Sequence, residues 1–193
     1  MLFKPPINLE INELIRESQK GNKKAQGLLY THFAGKMYGV CMRYASDKDD
    51  AQDFLQDGFV HLFKKIDQFR FEGSFEGWVR RLFVNLILQK FRSKKLLYAT
   101  NFEISPAHEP SYEHILEEIE ARDLLEMVKT LSPQYRLVFN LYAIEGYSHK
   151  EVAKKLQISE GTSKSNLSRA RSILQEKIAI RYPDVYQMKS NGG

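Results

Sequence analysis

Lys164 and Arg169 carry cationic donors that read guanine or neutralise phosphate, and Thr162, Ser165 and Ser168 carry less selective hydroxyls. With Glu160 they gather at the start of one helical repeat. Residues 148–175 read SHKEVAKKLQISEGTSKSNLSRARSILQ. Ser148 and Glu151 make an S-x-x-E capping box at a helix start. Val152, Ala153 and Leu156 give that short helix an apolar face. Gln157, Ile158 and Ser159 form a tight connection, with Ser159 as the next cap, worth about 1 kcal/mol. Leu167, Ala170 and Leu174 then return at three and four, and the small Ala153 suits a close crossing. This is the pattern of a helix-turn-helix, whose second helix enters the major groove by its N-terminal residues. Lys150, Lys154 and Lys155 on the first helix would sit near the DNA backbone. The alternative is a plain helical hairpin with solvated lysines.

A second group lies upstream, in RFEGSFEGW at 70–78. Phe71, Ser74 and Phe75 mix rings and a hydroxyl with glycine, groups that stack on and hydrogen-bond an unpaired base. Trp78 heads an apolar stripe and is assigned to the core. Arg80, Arg81, Lys90, Arg92, Lys94 and Lys95 make the following helix basic, and phosphate suits several of them. In a third group, Asp50, Asp53 and Asp57 fall at i, i+3 and i+7, with Gln56 beside Asp57. That acidic stripe fits either a basic protein partner or solvent.

Catalytic chemistry finds no support. His32, His61, His108, His114 and His149 lie at no metal-binding spacing. Cys41, the only cysteine, sits on an apolar stripe as an inert thiol and forms no intramolecular disulfide. A reducing cytoplasm suits such a chain. No phosphate-binding loop is present, so no ATP is implied, and no cofactor or metal is expected. The N-terminus is not a signal peptide, and apolar runs are too short to insert in a membrane.

The elements that position these groups read as helix almost throughout. Apolar periods cover residues 8–20, 23–45, 48–66 and 75–93. Leu29, Phe33, Met37, Cys41 and Tyr44 form one stripe; Phe54, Leu55, Phe59, Leu62, Phe63 and Ile66 form the next. Trp78, Leu82, Phe83, Leu86 and Ile87 form another. Residues 94–111 lose the period and contain Pro106 and Pro110. Helices resume near Tyr112, and Ser132-Pro133 starts another. The net charge of +5 divides unevenly: +6 over residues 1–98, −7 over 99–126 and +6 over 127–193. Two basic blocks flanking an acidic bridge suggest two nucleic-acid-facing modules. The expected architecture is all-α, two small helical domains joined by an acidic linker, the C-terminal one containing the helix-turn-helix.

LSPQYRLVFNLYAIEGYSHKEVAKKLQISEGTSKSNLSRARSIL resembles the C-terminal domain of extracytoplasmic-function sigma factors of the sigma-70 family. DDAQDFLQDGFVHLFKKIDQF is similar to that family's polymerase-binding helix, and FEGSFEGWVRRLFVNLILQKFRSKK to its −10 segment. The resemblance covers about residues 20–180. It implies region 2 over 8–95, a linker over 96–111 and region 4 over 112–182. It further implies core RNA polymerase as partner, through the β′ clamp helices and the β flap, together with promoter DNA and commonly an anti-sigma factor. Asp53, Gln56 and Asp57 would touch the clamp. Phe71, Ser74, Phe75, Arg80, Arg81, Asn85 and Arg92 would serve the −10 element. Lys150, Glu160, Thr162, Lys164, Ser165, Ser168 and Arg169 would serve the −35 element. The acidic linker, with Glu103, Glu109 and Glu113, would thread a basic channel as a nucleic-acid mimic, or be an ordinary solvated linker.

Three positions depart from the family pattern. Gln89 stands for a common aspartate, Gln157 for a turn glycine and Ser163 for an apolar residue. The last two are expected to loosen the second domain, since a buried unbonded serine costs about 1–3 kcal/mol. Two other functions compete with initiation: a stand-alone helix-turn-helix regulator, and a helical adaptor acting through protein contacts alone. The aromatic loop argues against the first and the basic blocks against the second.

Overall fold

The computed structural model describes residues 11–93 and 121–183, and among these every regular element is helical. The α-helices are α1 (Ile11–Gln19), α2 (Lys23–Tyr44), α3 (Lys48–Lys65), α4 (Phe75–Ser93), α5 (Ala121–Lys129), α6 (Pro133–Phe139), α7 (His149–Leu156) and α8 (Glu160–Arg181). A 3-10 turn, Ile66–Gln68, follows α3, and a π-turn, Asn140–Ile144, follows α6. The chain divides into two compact units, Met1–Ile87 and Leu88–Gly193, the division falling inside α4. The expected linker, with Glu103, Glu109 and Glu113, and the start of the helix expected from Tyr112 lie outside the described residues, as do Lys94 and Lys95.

In the first unit, local caps set the helix starts. Asn22 accepts hydrogen bonds from the backbone N–H of Lys24 and Ala25 at 3.0 and 3.3 Å, opening α2. Asp47 accepts from Asp50 N–H at 2.8 Å, opening α3. The α2 stripe is buried as expected, from Leu29 through Phe33, Met37 and Cys41 to Tyr44. On α3 the buried set narrows to Ala51, Phe54, Gly58, Phe59 and Leu62, while Leu55 and Phe63 are half-buried. On α4 the stripe is rotated from the expected one. Phe75, Val79, Phe83 and Ile87, at steps of four, carry the core, and Trp78, Leu82 and Leu86 are only half-buried. Both sets fit a helical period, so spacing alone does not choose between them.

Gly58 is what lets α3 and α4 approach. A Cβ built there would lie 2.2 Å from the Phe83 ring, which is itself fully buried. Glycine inside a helix costs about 1 kcal/mol in propensity, and close packing offsets it.

In the second unit, Ser132 caps α6 by accepting from Tyr135 N–H, with Pro133 at the first helical position. The π-turn closes through Glu145 N–H donating to Asn140 O at 2.9 Å. Leu137, Val138 and Leu141 pack with Leu167, Ala170, Leu174 and Ile178 of α8 in the core. Arg136 is buried too, and its guanidinium donates to Lys129 O at 3.4 Å. Asp123 of α5 receives Arg181 Nη2 at 2.9 Å and the Tyr182 hydroxyl, tying α5 to the end of α8.

Gly58→Ala is expected to destabilise the first unit by about 1–3 kcal/mol despite its better helix propensity, because the Phe83 ring has nowhere to move. Urea unfolding of the full chain checks this; an unchanged or raised midpoint would contradict the packing described.

Candidate nucleic-acid interface

The loop between the 3-10 turn and α4 is short and held from several sides. Phe71 takes a left-handed backbone conformation at φ 60°, and Gly73 follows at φ 90°. A left-handed non-glycine residue costs roughly 1–2 kcal/mol, so neighbours must hold it. Phe69 supplies one support, its ring 5.1 Å from Phe71, 5.0 Å from Phe75 and 5.5 Å from Trp78. Phe75 in turn stacks on Trp78 at 5.8 Å and meets Phe33 of α2 edge-on at 5.5 Å. These geometries are favourable aromatic pairings beyond the area they bury. Arg16 of α1 lies over the Phe71 ring, 5.0 Å from its centroid. Gln19, also of α1, donates to the carbonyls of Ile66 and Phe69 at 2.9 and 3.0 Å.

This arrangement changes the expected division of the loop. Phe75 is buried, 6% exposed, and so belongs to the support and not to the presented surface. Its ring packs between Phe33 of α2 and Phe69, whereas Trp78, assigned to the core as the head of the stripe, is half-buried. Phe71 is half-buried and Ser74 exposed. Ser74 also caps α4, its hydroxyl oxygen accepting from Gly77 N–H at 3.3 Å. On α4, Arg81 and Asn85 are exposed, and Arg80 and Arg92 half-buried. Arg81, Asn85 and Arg92 share one helix face by their spacing; Arg80 lies off it. The Arg92 Nε donates to Leu88 O at 3.4 Å.

The acidic stripe on α3 is reshaped as well. Asp53, Gln56 and Asp57 are exposed, but Asp50 accepts from Ser46 N–H at 3.0 Å and belongs to the helix start. Beside the stripe runs a groove lined by Tyr30 and Tyr38 of α2 and by Gln52, Gln56, Phe59 and Val60 of α3. Tyr30 and Val60 are 44% and 49% exposed, more than an interior position allows. The sequence reading missed them because each lies off the apolar stripes.

The helix-turn-helix forms as the capping residues require. Ser148 accepts from Glu151 N–H at 3.3 Å, and the Glu151 carboxylate accepts from Ser148 N–H at 2.8 Å. The Ser148 hydroxyl and then its backbone N–H hold the Glu151 carboxyl below its ordinary value. That contribution to folding is therefore present above the ordinary carboxylate range and is lost as pH falls through the lowered value. Val152, Ala153 and Leu156 are buried, α7 packs on α8, and Ala170 of α8 is fully buried. Ser159 caps α8 by accepting from Thr162 N–H at 2.9 Å.

On α8 the buried face runs through Ser163, Leu167, Ala170 and Leu174. By helical geometry Ser165 and Ser168 stand opposite it, with Lys164 and Arg169 on the flanks. Glu160, Thr162, Lys164 and Arg169 are exposed, Ser165 and Ser168 half-buried, and Lys150 exposed on α7. Several of these groups have local partners. Lys164 pairs with Glu160 at 3.2 Å, and the Thr162 hydroxyl shares a hydrogen bond with Ser159 at 2.8 Å. The Ser165 hydroxyl donates to Thr162 O at 3.1 Å. An exposed ion pair of this kind is worth only about 0.3–0.5 kcal/mol, little against a phosphate or base contact.

The two departures in this unit have different outcomes. Ser163 is fully buried, yet its hydroxyl lies 3.0 Å from His149 Nδ1, so the polar group is bonded and the expected penalty does not arise. His149 also stacks on Tyr142 of the π-turn at 4.3 Å. The sequence reading set His149 aside, since no linear spacing reveals a partner 14 residues on. Gln157 does occupy the left-handed turn, at φ 58°, where glycine is unstrained.

Gln157→Gly is expected to raise stability by up to about 1 kcal/mol, read as a higher melting temperature. Ser163→Ala and His149→Phe are each expected to lower it by about 1 kcal/mol, with clear coupling in the double mutant. Additive losses would show that the pair does not act as one bond.

The chain matches the family described as Sigma-70 region 2 over residues 29–96 and that described as Sigma-70, region 4 over residues 121–174. The ECF RNA polymerase sigma-E factor of Haemophilus influenzae is 29% identical over 178 residues, covering 86% of this chain and 93% of the relative. The ECF RNA polymerase sigma factor SigE of Mycolicibacterium smegmatis is 28% identical over 156 residues, 78% of this chain and 60% of that protein's length. The RNA polymerase sigma-H factor of Pseudomonas aeruginosa is 25% identical, over 86% of this chain and 92% of its own. The solved structure of CnrH in complex with the cytosolic domain of CnrY is similar with a TM-score of 0.47 at 22% identity, covering 86% of this chain and 96% of that one. No helix among the described residues is long and apolar enough to cross a membrane. With both sigma-70 regions present in order, and relatives of that kind along most of its length, the chain belongs to the extracytoplasmic-function sigma factors of the sigma-70 family.

Proposed function

We propose that this sigma factor docks on core polymerase through the α3 face, captures an unpaired −10 base in the Phe71–Ser74 loop, and reads the −35 element with α8. The observation that carries the reading is the loop. A half-buried ring and an exposed hydroxyl are held in a strained conformation by surrounding rings, which is preorganisation for a ligand. A captured base gains about 1–3 kcal/mol by stacking, so opening draws on binding energy and not on nucleotide hydrolysis. Asp53, Gln56 and Asp57 present acceptors to a basic clamp, and the Tyr30–Val60 groove beside them adds apolar surface to that face. Arg81, Asn85 and Arg92 follow the strand backbone along α4, and Arg80 adds charge. Lys150 holds phosphate while Lys164 and Arg169 meet base edges or phosphate. The cytoplasm is its place of action, and an inhibitory protein partner suits a factor with this family membership.

Run-off transcription with purified core polymerase on a pool of random promoter fragments tests the reading and recovers a promoter. Core-dependent transcripts from defined start sites are expected; DNA binding without core would favour a stand-alone regulator. On the recovered promoter, Lys164→Ala and Arg169→Ala are each expected to weaken −35 binding by about 1–3 kcal/mol. Unaltered affinity in both would remove α8 from the interface as drawn.

A further inference from the structure

Helix α1 lies outside the matched sigma-70 region, which begins at residue 29, yet two of its side chains make directed contacts with the loop segment. Gln19 reaches across 47 and 50 residues of sequence to donate to Ile66 O and Phe69 O at 2.9 and 3.0 Å. Ile66 opens the 3-10 turn and Phe69 caps its end, two residues before Phe71. One amide nitrogen with two hydrogens is used in full, a bidentate contact that fixes where the chain leaves α3. One turn earlier on the same helix, Arg16 sits over the Phe71 ring at 5.0 Å. Ile15, fully buried, and the packing of α1 on α2 and on the 3-10 turn anchor the helix that carries both groups.

We propose that α1 is a clamp for the −10 loop, with Gln19 and Arg16 as positioning residues that hold Phe71 in its left-handed, base-ready conformation. The proposal rests on the base-capture reading above. Without the clamp, Phe71 relaxes to an ordinary backbone conformation, and capture of a base must then restore the strained one. Neither residue needs to touch DNA for this. The loop's affinity for single strand falls while the surfaces on α3 and α8 are untouched.

The test uses holoenzyme assembled from the full chain and core polymerase, with a fluorescent non-template −10 strand of the recovered promoter. Arg16→Ala and Gln19→Leu are expected to lower single-strand affinity about five- to tenfold, part of the contribution of one stacked base. Arg16→Lys, which keeps the cation, is expected to restore most of the loss. Core affinity and −35 duplex binding should stay at wild-type levels, and melting temperatures confirm that the variants fold. The wild-type to variant ratio should not change with salt. A ratio for Arg16→Ala that collapses as salt rises marks a direct phosphate contact and overturns the positioning role. Phe71→Ala separates the two layers of the claim. If it loses single-strand binding while both α1 variants bind as wild type, the clamp is wrong and base capture stands. If Phe71→Ala itself binds as wild type, base capture fails and the clamp fails with it.

Discussion

Phe75 sits among Phe33, Phe69 and Trp78, and the first unit's presented surface depends on that contact. It joins the start of α4 to α2 and to the end of the 3-10 turn. The loop between Phe69 and Phe75 is thereby closed over fixed ends. The path between them takes left-handed turns at Phe71 and Gly73. Burying rings at both ends of the loop supplies free energy that a strained, partly exposed tip needs, since one buried aromatic contributes about 1.5–3 kcal/mol against roughly 1–2 kcal/mol for one left-handed residue. The same logic explains Gly58. Its missing side chain lets Phe83 lie against α3, and so sets the height of α4 beneath the loop.

The second unit solves a related problem with polar groups. A helix that enters a groove must be rigid at its N-terminal end, where intrahelical bonds are fewest. Here Ser159 caps that end, Ser163 bonds to His149, and His149 stacks on Tyr142. Helix α8 is thus fixed to α7 and to the π-turn by directional contacts as well as by Leu167 and Ala170. Where an apolar residue would fill space at position 163, the serine and histidine fix an orientation. The strained residue of this unit, Gln157, is held by backbone groups: its N–H and that of Ile158 both donate to Ala153 O.

Much of this was legible in the sequence because local rules dominate helices. Helix limits followed from caps: Ser132, Ser148 and Ser159 all stand where chemistry places them. The α2 stripe was legible because Leu29, Phe33, Met37, Cys41 and Tyr44 recur at steps of four and three. On α4 they occupy more than one, so the choice between Phe75 and Trp78 as core residue needed the neighbouring rings. The Ser163–His149 bond and the reach of Gln19 to Ile66 and Phe69 were not legible, because both join residues with no periodic relation. The exposure of Lys164 and Arg169 on α8 followed from position along the helix, whereas the bonds of the Thr162 hydroxyl with the Ser159 hydroxyl and of the Ser165 hydroxyl with Thr162 O required atomic geometry.

The proposed function makes one mechanical claim: opening of promoter DNA by this factor is driven by a loop held ready before DNA arrives. Permanganate reactivity of thymines in the −10 element measures that opening directly. With holoenzyme and no hydrolysable nucleotide, those thymines should become reactive for the wild-type chain. For Phe71→Ala they should remain protected while the −35 footprint persists. Equal reactivity in both would contradict the account.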